Sequence, residues 1–256
     1  MKLASWNINS LGIRMPQLLA WLETHKPDAL ALQETKLTDD KFPHAALEEV
    51  GYRADCFGQP TYNGVALVTR EPTLDVVRNI PGHDDAQARV ITGTVGGVRV
   101  IGAYVVNGQA VDSPKFAYKM GWLEALRGFV AAELQKHPQL VLMGDFNIAP
   151  DDRDVHDPAL WEGQVLCTPQ ERAHFADLLA LGLHDSFRLF EQPPKLYSWW
   201  DYRQLALQKN RGLRIDHILV SDALKPLVRS SIIDKPTRKN ERPSDHAPVI
   251  VELDRT

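Results

Sequence analysis

The stretch Gly144-Asp145-Phe146-Asn147 directly follows the apolar run of residues 139–143, and together they define one strand and its end. Such a run predicts a buried strand, which brings its first polar residues to the edge of a sheet. Residues i and i+2 of an extended segment share a face, so Asp145 and Asn147 can point at one ligand. The junction favours a phosphate or a hydrated cation as that ligand, with a turn that caps the next element as the alternative.

Polar residues also lie at strand ends in three other parts of the chain. The apolar run that opens the chain ends at Asn7, a second run ends at Glu34, and Ser244-Asp245-His246 leads into an alternating strand at residues 248–253. Clusters so far apart in sequence are difficult to explain as independent turns. We therefore expect them to converge on one site.

Hydrophobic periodicity predicts both helices and strands. Helices are expected at residues 15–25 with Pro16 in the first turn, from 113 onward with an apolar stripe to 130, and at 169–181. Strands are expected at residues 64–69, 89–95, 98–106, 214–220 and 248–253, with Gly96-Gly97 as a two-residue hairpin. Because several strands follow one another without a helix between them, the sequence indicates an α/β fold with mixed sheets.

Composition indicates one soluble domain over residues 1–256. The chain has 256 residues, 44% of them hydrophobic, which is enough for a sizeable core. It has no apolar run as long as a membrane span and no signal-peptide pattern, so we expect an intracellular protein with no membrane partner. Cys56 and Cys167 lack metal-binding spacing and are expected to be free thiols.

The net charge of −4 argues mildly against nucleic-acid binding, but the basic residues are clustered. The clusters comprise Arg203, Lys209, Arg211 and Arg214, and then Arg238, Lys239 and Arg242. Each leads into a segment with candidate site residues, which favours phosphate contacts over the alternative of ordinary solvated surface. The acidic residues at 151–157 lack calcium-loop spacing and are expected to form a solvated loop. Residues 156–168 are where we expect substrate choice to be set.

Ordered motifs along the chain resemble one enzyme family. They read SWNINSLGIR from residue 5, LQETKL from 32, YNGVALVTR from 62, GDFNIAP from 144, SWWDYR from 198, NRGLRIDHILVS from 210 and ERPSDHAPVIVEL from 241. Together they are similar to the exonuclease III family of abasic-site endonucleases and 3′-exonucleases, within the superfamily that includes pancreatic deoxyribonuclease and inositol polyphosphate phosphatases. The resemblance covers residues 2–253. It implies a four-layered α/β sandwich of two packed mixed β-sheets flanked by helices, with the site at one edge.

Hydrolysis of a phosphodiester needs stabilisation of the charge that grows on the phosphoryl oxygens and the leaving alkoxide, usually by a divalent cation with oxygen ligands. Glu34 is the best candidate ligand. The resemblance supports Asn7, Asp145, Asn147 and Asp245 as further ligands and implies Mg²⁺ or Mn²⁺ as the cation. For Asn7, hydrogen bonding that organises the floor of the site is the alternative role.

His246 and Asp145 compete as the base that deprotonates water. A catalytic histidine needs a second group to fix its tautomer. Asp245 is poorly placed for this, because adjacent residues of an extended segment face opposite sides, so Asp216 is the better partner. The resemblance agrees with an Asp216–His246 pair and leaves both candidates open, His246 also as a phosphate ligand and Asp145 also as a proton donor. His217 would point away from this pair and is expected to be packed or at the surface.

Other residues are candidates for substrate contacts. Asn147, Tyr104 and Asn107 could donate to the phosphate, and for Tyr104 that role depends on the resemblance. The segment of residues 197–214 adds aromatic and basic side chains, such as Arg211, that suit DNA. Trp199, Trp200 and Leu213 are expected to form an apolar wall there, to which the adjacent tryptophans would contribute at most one exposed ring.

The sequence therefore favours a Mg²⁺- or Mn²⁺-dependent DNA repair nuclease. Its expected partner is double-stranded DNA with abasic sites or with damaged or recessed 3′ ends, and it is expected to act as a monomer in the cytoplasm and at the nucleoid. The alternative is a superfamily phosphatase or phosphodiesterase for a small phosphorylated substrate. A non-catalytic DNA-binding module is disfavoured because no member of the expected catalytic set is missing.

Overall fold

The computed structural model describes residues 1–254, which form twelve strands, five α-helices and several short 3₁₀ turns. The strands are β1 (Lys2–Asn7), β2 (Ala29–Gln33), β3 (Arg53–Phe57), β4 (Val65–Thr69), β5 (Leu74–Arg78), β6 (Val90–Val95), β7 (Val98–Tyr104), β8 (Leu140–Asp145), β9 (Leu183–Asp185), β10 (Asp216–Ser221), β11 (Val228–Ile233) and β12 (Val249–Leu253). The α-helices are α1 (Leu11–His25), α2 (His44–Glu49), α3 (Pro114–Lys136), α4 (Pro158–Trp161) and α5 (Pro169–Leu179).

The strands form two six-stranded sheets, in the orders β11-β12-β1-β2-β4-β3 and β5-β6-β7-β8-β10-β9. In the first sheet β1 and β2 are parallel, and in the second β7 and β8 are parallel. The other pairings, such as β1 with β12 and β8 with β10, are antiparallel. Both sheets are therefore mixed, as the succession of strands in the sequence predicts.

The core lies between the two sheets. Leu3, Ala31 and Leu67 of the first sheet belong to the same buried cluster as Val141 and Met143 of the second. Alternate residues of each strand face outward and are covered by helices. Leu18 and Leu22 of α1 cover the first sheet, and Leu123 and Leu126 of α3 cover the second, together with α5. This arrangement confirms the predicted four-layered sandwich and explains why β4 and β8 are buried on both faces.

Most predicted elements are present, with shifted ends. The Gly96-Gly97 hairpin joins β6 to β7, and both glycines have positive φ (53° and 83°), as a tight turn of this kind requires. Helix α3 begins at Pro114 after Ser113, whose side chain accepts from the Phe116 amide. Helix α1 begins at Leu11, so Pro16 lies inside the helix and not in its first turn.

None of the helices within residues 1–254 combines the length and the apolar character that crossing a bilayer requires.

Candidate active site

Strand register brings the predicted polar residues to one edge of both sheets. In the second sheet Tyr104, Asp145 and Asp216 are direct neighbours on three adjacent strands. In the first sheet Asn7 ends β1 opposite the last residue of β2, which Glu34 follows. Because the sheets pack face to face, these ends meet, and His246 joins them from the segment that precedes β12.

Glu34 is held by three donors on different elements. Its Oε1 accepts from Asn7 Nδ2 at 2.8 Å and from the Tyr104 hydroxyl at 3.0 Å, and its Oε2 lies 3.0 Å from Lys36 Nζ. Burial, followed by the negative charges of Glu34 and Asp145, raises the pKa of Tyr104 well above its ordinary value. Tyr104 therefore stays protonated at neutral pH, and its hydroxyl donates to Glu34.

Asp145 and Asn147 form a second arm of the site. The backbone N–H of Asn147 donates to Asp145 Oδ1 at 2.9 Å, and Asn7 Nδ2 donates to Asp145 Oδ2 at 2.9 Å. Asn147 has φ 48°, a left-handed conformation that asparagine tolerates, and its Oδ1 accepts from Asn107 Nδ2 at 3.0 Å. The Asn147 side chain is thus fixed from both ends, since its Nδ2 donates to Val105 O.

His246 lies between two carboxylates. Its Nδ1 is 2.9 Å from Asp216 Oδ2, and its Nε2 is 3.7 Å from Asp145 Oδ2. Burial alone would lower the pKa of His246, but the charges of Asp216 and Asp145 outweigh burial and raise it. Burial also raises the pKa of Asp145, against the opposing charge of His246. The geometry brings together the Asp216–His246 pair that the sequence predicts.

Glu34, Asp145 and His246 offer ligand atoms that all lie within 4.8 Å of one another. The two carboxylates supply oxygen ligands of the kind that Mg²⁺ or Mn²⁺ takes, so Glu34 and Asp145 fit a divalent cation. Asn7 and Asn147 direct N–H groups at the carboxylates, and their Oδ1 atoms already accept hydrogen bonds. Of the two roles left open for Asn7, this conformation favours the organising one.

Asp245 is not one of these three residues. Its Oδ1 accepts from Asn9 Nδ2 at 2.9 Å and its Oδ2 from Trp199 Nε1 at 2.9 Å. That Asp245 is a direct ligand stays a prediction, because in this conformation both of its oxygens accept hydrogen bonds from protein donors. Asn9 and Lys36, which the sequence did not single out, connect Asp245 to Glu34.

The predicted apolar wall is reduced to one residue. Trp199 is partly exposed, whereas Trp200 and Leu213 have no exposed surface. Leu213 is covered by a cluster that includes Val155 and Leu166, and Trp200 lies beneath the cations of Lys235 and Arg238. Trp200 and Leu213 are therefore covered in this conformation, and Trp199 is the member of the predicted wall that a substrate can reach.

Trp199 borders a cleft of about 440 Å³ between α4 and the segment of residues 201–211. Trp161, Arg203 and Arg211 also line this cleft. Both arginines are exposed, and neither makes an ion pair within the described part of the chain. They remain candidates for phosphate contacts.

Two members of the basic clusters are structural instead. Arg214 is buried and pairs with Asp154 (Nε–Oδ1 2.6 Å) and Asp185 (NH2–Oδ2 2.7 Å). Arg238 is buried and donates to Ser244 O. Asp154 itself is fully buried, so the acidic segment is not wholly a solvated loop. A buried charge needs a partner, and spacing along the sequence does not reveal one that lies about thirty residues or more away.

Comparisons with known proteins agree with this geometry. Residues 4–246 match the model of the endonuclease/exonuclease/phosphatase family. Exodeoxyribonuclease III of Haemophilus influenzae is 37% identical, over 99% of this chain and 100% of its own length. A 3′ phosphatase from Neisseria bound to a product DNA hairpin is 50% identical with a TM-score of 0.98, and an AP endonuclease from Archaeoglobus fulgidus is 33% identical with a TM-score of 0.96; each alignment covers 100% of both chains. The chain therefore belongs to the endonuclease/exonuclease/phosphatase family, among its exodeoxyribonuclease III-type DNA repair nucleases.

Proposed function

We propose that this protein hydrolyses phosphate esters at the 3′ ends of duplex DNA with the help of Mg²⁺ or Mn²⁺. The observation that carries the proposal is the convergence of Glu34, Asp145 and the Asp216–His246 pair on one space. Carboxylates for a cation, a proton acceptor and a cationic donor are the groups that phosphodiester hydrolysis needs.

A divalent cation bound at Glu34 and Asp145 would stabilise charge on the phosphoryl oxygens and the leaving alkoxide. Asp145, whose Oδ2 lies 3.7 Å from His246 Nε2, accepts the proton of the attacking water. His246 is charged, because Asp216 and Asp145 raise its pKa, and it contacts the phosphate as a fixed donor. Tyr104 keeps its proton and holds Glu34 in place. Of the two candidates for the base, the proposal therefore takes Asp145 and gives His246 the phosphate contact.

The preference for 3′ ends over abasic sites has a structural basis. An extruded sugar needs an open apolar surface, and the side chains expected to supply it, Trp200 and Leu213, are covered. A 3′-terminal group needs access only to the group formed by Glu34, Asp145 and His246. In the neighbouring cleft that Trp199 lines, Arg203 and Arg211 are free to contact the DNA backbone. The Neisseria relative that is named a 3′ phosphatase supports the same substrate class.

Labelled duplexes separate these activities. One carries a 3′-phosphate, one a recessed normal 3′ end and one an internal abasic analogue, and each is incubated with Mg²⁺, Mn²⁺ or EDTA. We expect hydrolysis of the first two to exceed incision of the third, and EDTA to stop all three. Faster incision of the abasic duplex would show that the covered surface opens, and turnover of an inositol phosphate without turnover of DNA would favour the small-substrate alternative.

Glu34→Gln tests the cation itself. Removing one anionic oxygen should lower turnover by orders of magnitude while the fold is kept, because the carboxylate balances the charge of the cation. Thermal melting is the control for folding. Hydrolysis by Glu34→Gln that continues in EDTA would contradict a metal-dependent reaction.

A further inference from the structure

Asn9 uses all of its polar groups to join separate parts of the site. Its backbone amide donates to Asn7 Oδ1 at 3.0 Å, and its carbonyl accepts from Arg14. Its Nδ2 donates to Asp245 Oδ1 at 2.9 Å, and its Oδ1 accepts from Lys36 Nζ at 2.6 Å. The residue has φ 45°, a left-handed conformation that aims the side chain between these partners.

Besides a longer contact of 3.5 Å from its Nδ2 to the Tyr202 hydroxyl, Asn9 makes two shorter side-chain bonds, which extend to opposite borders of the site. On one side Lys36 Nζ continues to Glu34 Oε2 at 3.0 Å. On the other side Asp245 Oδ2 accepts from Trp199 Nε1 at 2.9 Å. An unbroken relay of polar contacts therefore runs from Trp199 through Asp245, Asn9 and Lys36 to the carboxylate of Glu34, and we call these five residues the indole relay.

Asp245 depends on its place in the indole relay. Burial would raise the pKa of its carboxyl, but the charge of His246 and the donors on Trp199 and Asn9 lower it below the ordinary range. The carboxylate is therefore a partly buried anion held by two neutral donors, and losing one of them leaves an acceptor without its protein partner. A change at Trp199 is thus transmitted to the orientation of Asn9, and through Lys36 to Glu34.

We propose that Trp199 and Asn9 are positioning residues, which hold the Glu34 carboxylate through the indole relay in the orientation that binds a divalent cation. The inference rests on the proposed function, since it takes Glu34 to be a cation ligand. It gives the indole N–H of Trp199 a task that is separate from any contact between its ring and DNA. Hydrogen bonding of this kind around a metal ligand fixes its orientation and tunes its affinity.

Trp199→Phe isolates the N–H from the ring, because it keeps an aromatic surface and removes the donor to Asp245. The measurement is calorimetric titration of the DNA-free protein with Mn²⁺ and with Mg²⁺, which does not depend on nuclease activity. We expect the dissociation constant to rise about threefold to tenfold, less than the full effect of a hydrogen bond to a charged group because the loss acts through other residues. Excess metal should restore the turnover of Trp199→Phe.

Trp161→Phe is the matched control. Trp161 lines the same cleft, and its Nε1 has no hydrogen-bond partner among residues 1–254, so removing that donor should leave metal binding unchanged. Equal weakening in both variants would attribute the effect to the cleft and overturn the indole relay.

Asn9→Gly breaks the centre of the indole relay while tolerating a positive φ. It should weaken metal binding at least as much as Trp199→Phe, and the double variant should be no weaker than Asn9→Gly alone, since the two changes interrupt one relay. Wild-type affinity in Trp199→Phe, or effects of the two changes that multiply, would overturn the proposal. A wild-type protein that binds neither cation would overturn it as well, whereas hydrolysis of 3′ ends that fails despite normal metal binding would contradict only the proposed function.

Discussion

The chain contains two Asp-His dipeptides, Asp216-His217 and Asp245-His246, and uses opposite members of each at the active site. Asp216 turns towards His246, while His217 turns to the other side of β10. His246 turns towards Asp216, while Asp245 turns to other partners. One candidate catalytic pair is thus assembled from halves of two dipeptides, and on β10 the reason is that neighbouring residues of a strand face opposite sides.

The two histidines are both buried but differ in their partners. His217 packs against the rings of Phe146 and Phe175, and its Nδ1 lies 3.0 Å from Arg214 NH1. Burial, aided by the charge of Arg214, lowers the pKa of His217 to about 4. For His246 the neighbouring carboxylates reverse the effect of burial. Burial alone therefore does not determine the charge of a histidine, because at His246 the neighbouring carboxylates outweigh it.

The largest expected effect is the fall in kcat when either member of the Asp216–His246 pair is removed. Asp216→Ala and His246→Ala should each lower kcat by about 10³-fold or more, and the double variant should be little worse, since residues that act as a unit are not additive. Single-turnover hydrolysis of the 3′-phosphate duplex measures this. His217→Gln is the control within the same dipeptide and should retain kcat. Losses that add in free energy would separate Asp216 from His246.

The next largest effect is on the free energy of unfolding and concerns Arg214, the buried cation that contacts His217. Arg214→Met should lower the free energy of unfolding by about 3–5 kcal/mol, because it leaves the buried carboxylate of Asp185 without its cation. Urea unfolding measures the change. Arg153→Met removes a partner of the exposed Asp151 and should cost less than about 1 kcal/mol. Similar losses in both variants would show that the buried network is no stronger than a surface pair.

A smaller effect is the acid sensitivity that His217 confers. Its folded pKa of about 4 lies below the unfolded value of 6.5, so below pH 6.5 the unfolded chain binds a proton that the native protein does not. The contribution of neutral His217 is present above pH 6.5 and is lost as the pH falls towards 4, by about 3 kcal/mol in total.

Urea unfolding between pH 7 and pH 4 should therefore show a weaker pH dependence in His217→Gln than in the wild type. His246 has the opposite sign, since its pKa is raised: its contribution is present below pH 6.5 and is lost as the pH rises. A pH dependence that is the same with and without His217 would contradict the neutral, buried state of that residue.

Much of this arrangement follows from the sequence. Apolar runs that end in Asp145, Glu34 and Asn7 predict strand ends at one edge, and the alternation of faces predicts that Asp216, not Asp245, supports His246. Those arguments depend on local geometry, which the sequence contains. The two-sheet packing came from the family resemblance, and the order of the strands was not predicted, because periodicity does not define which strands are neighbours.

Other features could not be predicted because they depend on distant partners. In the sequence nothing distinguishes Arg214 from the exposed Arg211, because its burial depends on the ion pairs with Asp154 and Asp185. Trp200 and Trp199 are adjacent and of the same type, and only tertiary packing determines which ring is covered. The direction of the amides of Asn7 and Asn147 is likewise set by hydrogen bonds to residues on other elements.

The smallest expected effect compares Arg211 with Arg214, three residues apart in one basic cluster. Arg211 is exposed on the cleft beside Trp199, so Arg211→Ala should leave the unfolding free energy unchanged and weaken binding of duplex DNA about fivefold or less. If Arg211 contacts a phosphate, the slope of log affinity against log salt concentration should become smaller in magnitude by about one.

Arg229→Ala is the control, since Arg229 pairs with Asp254 at the end of β12 remote from His246 and should leave that slope unchanged. Fluorescence anisotropy in EDTA at several salt concentrations measures both variants. An unchanged slope for Arg211→Ala would leave Arg203 as the basic residue of the cleft that contacts DNA, and it would mean that exposure of a cation does not by itself identify a phosphate contact.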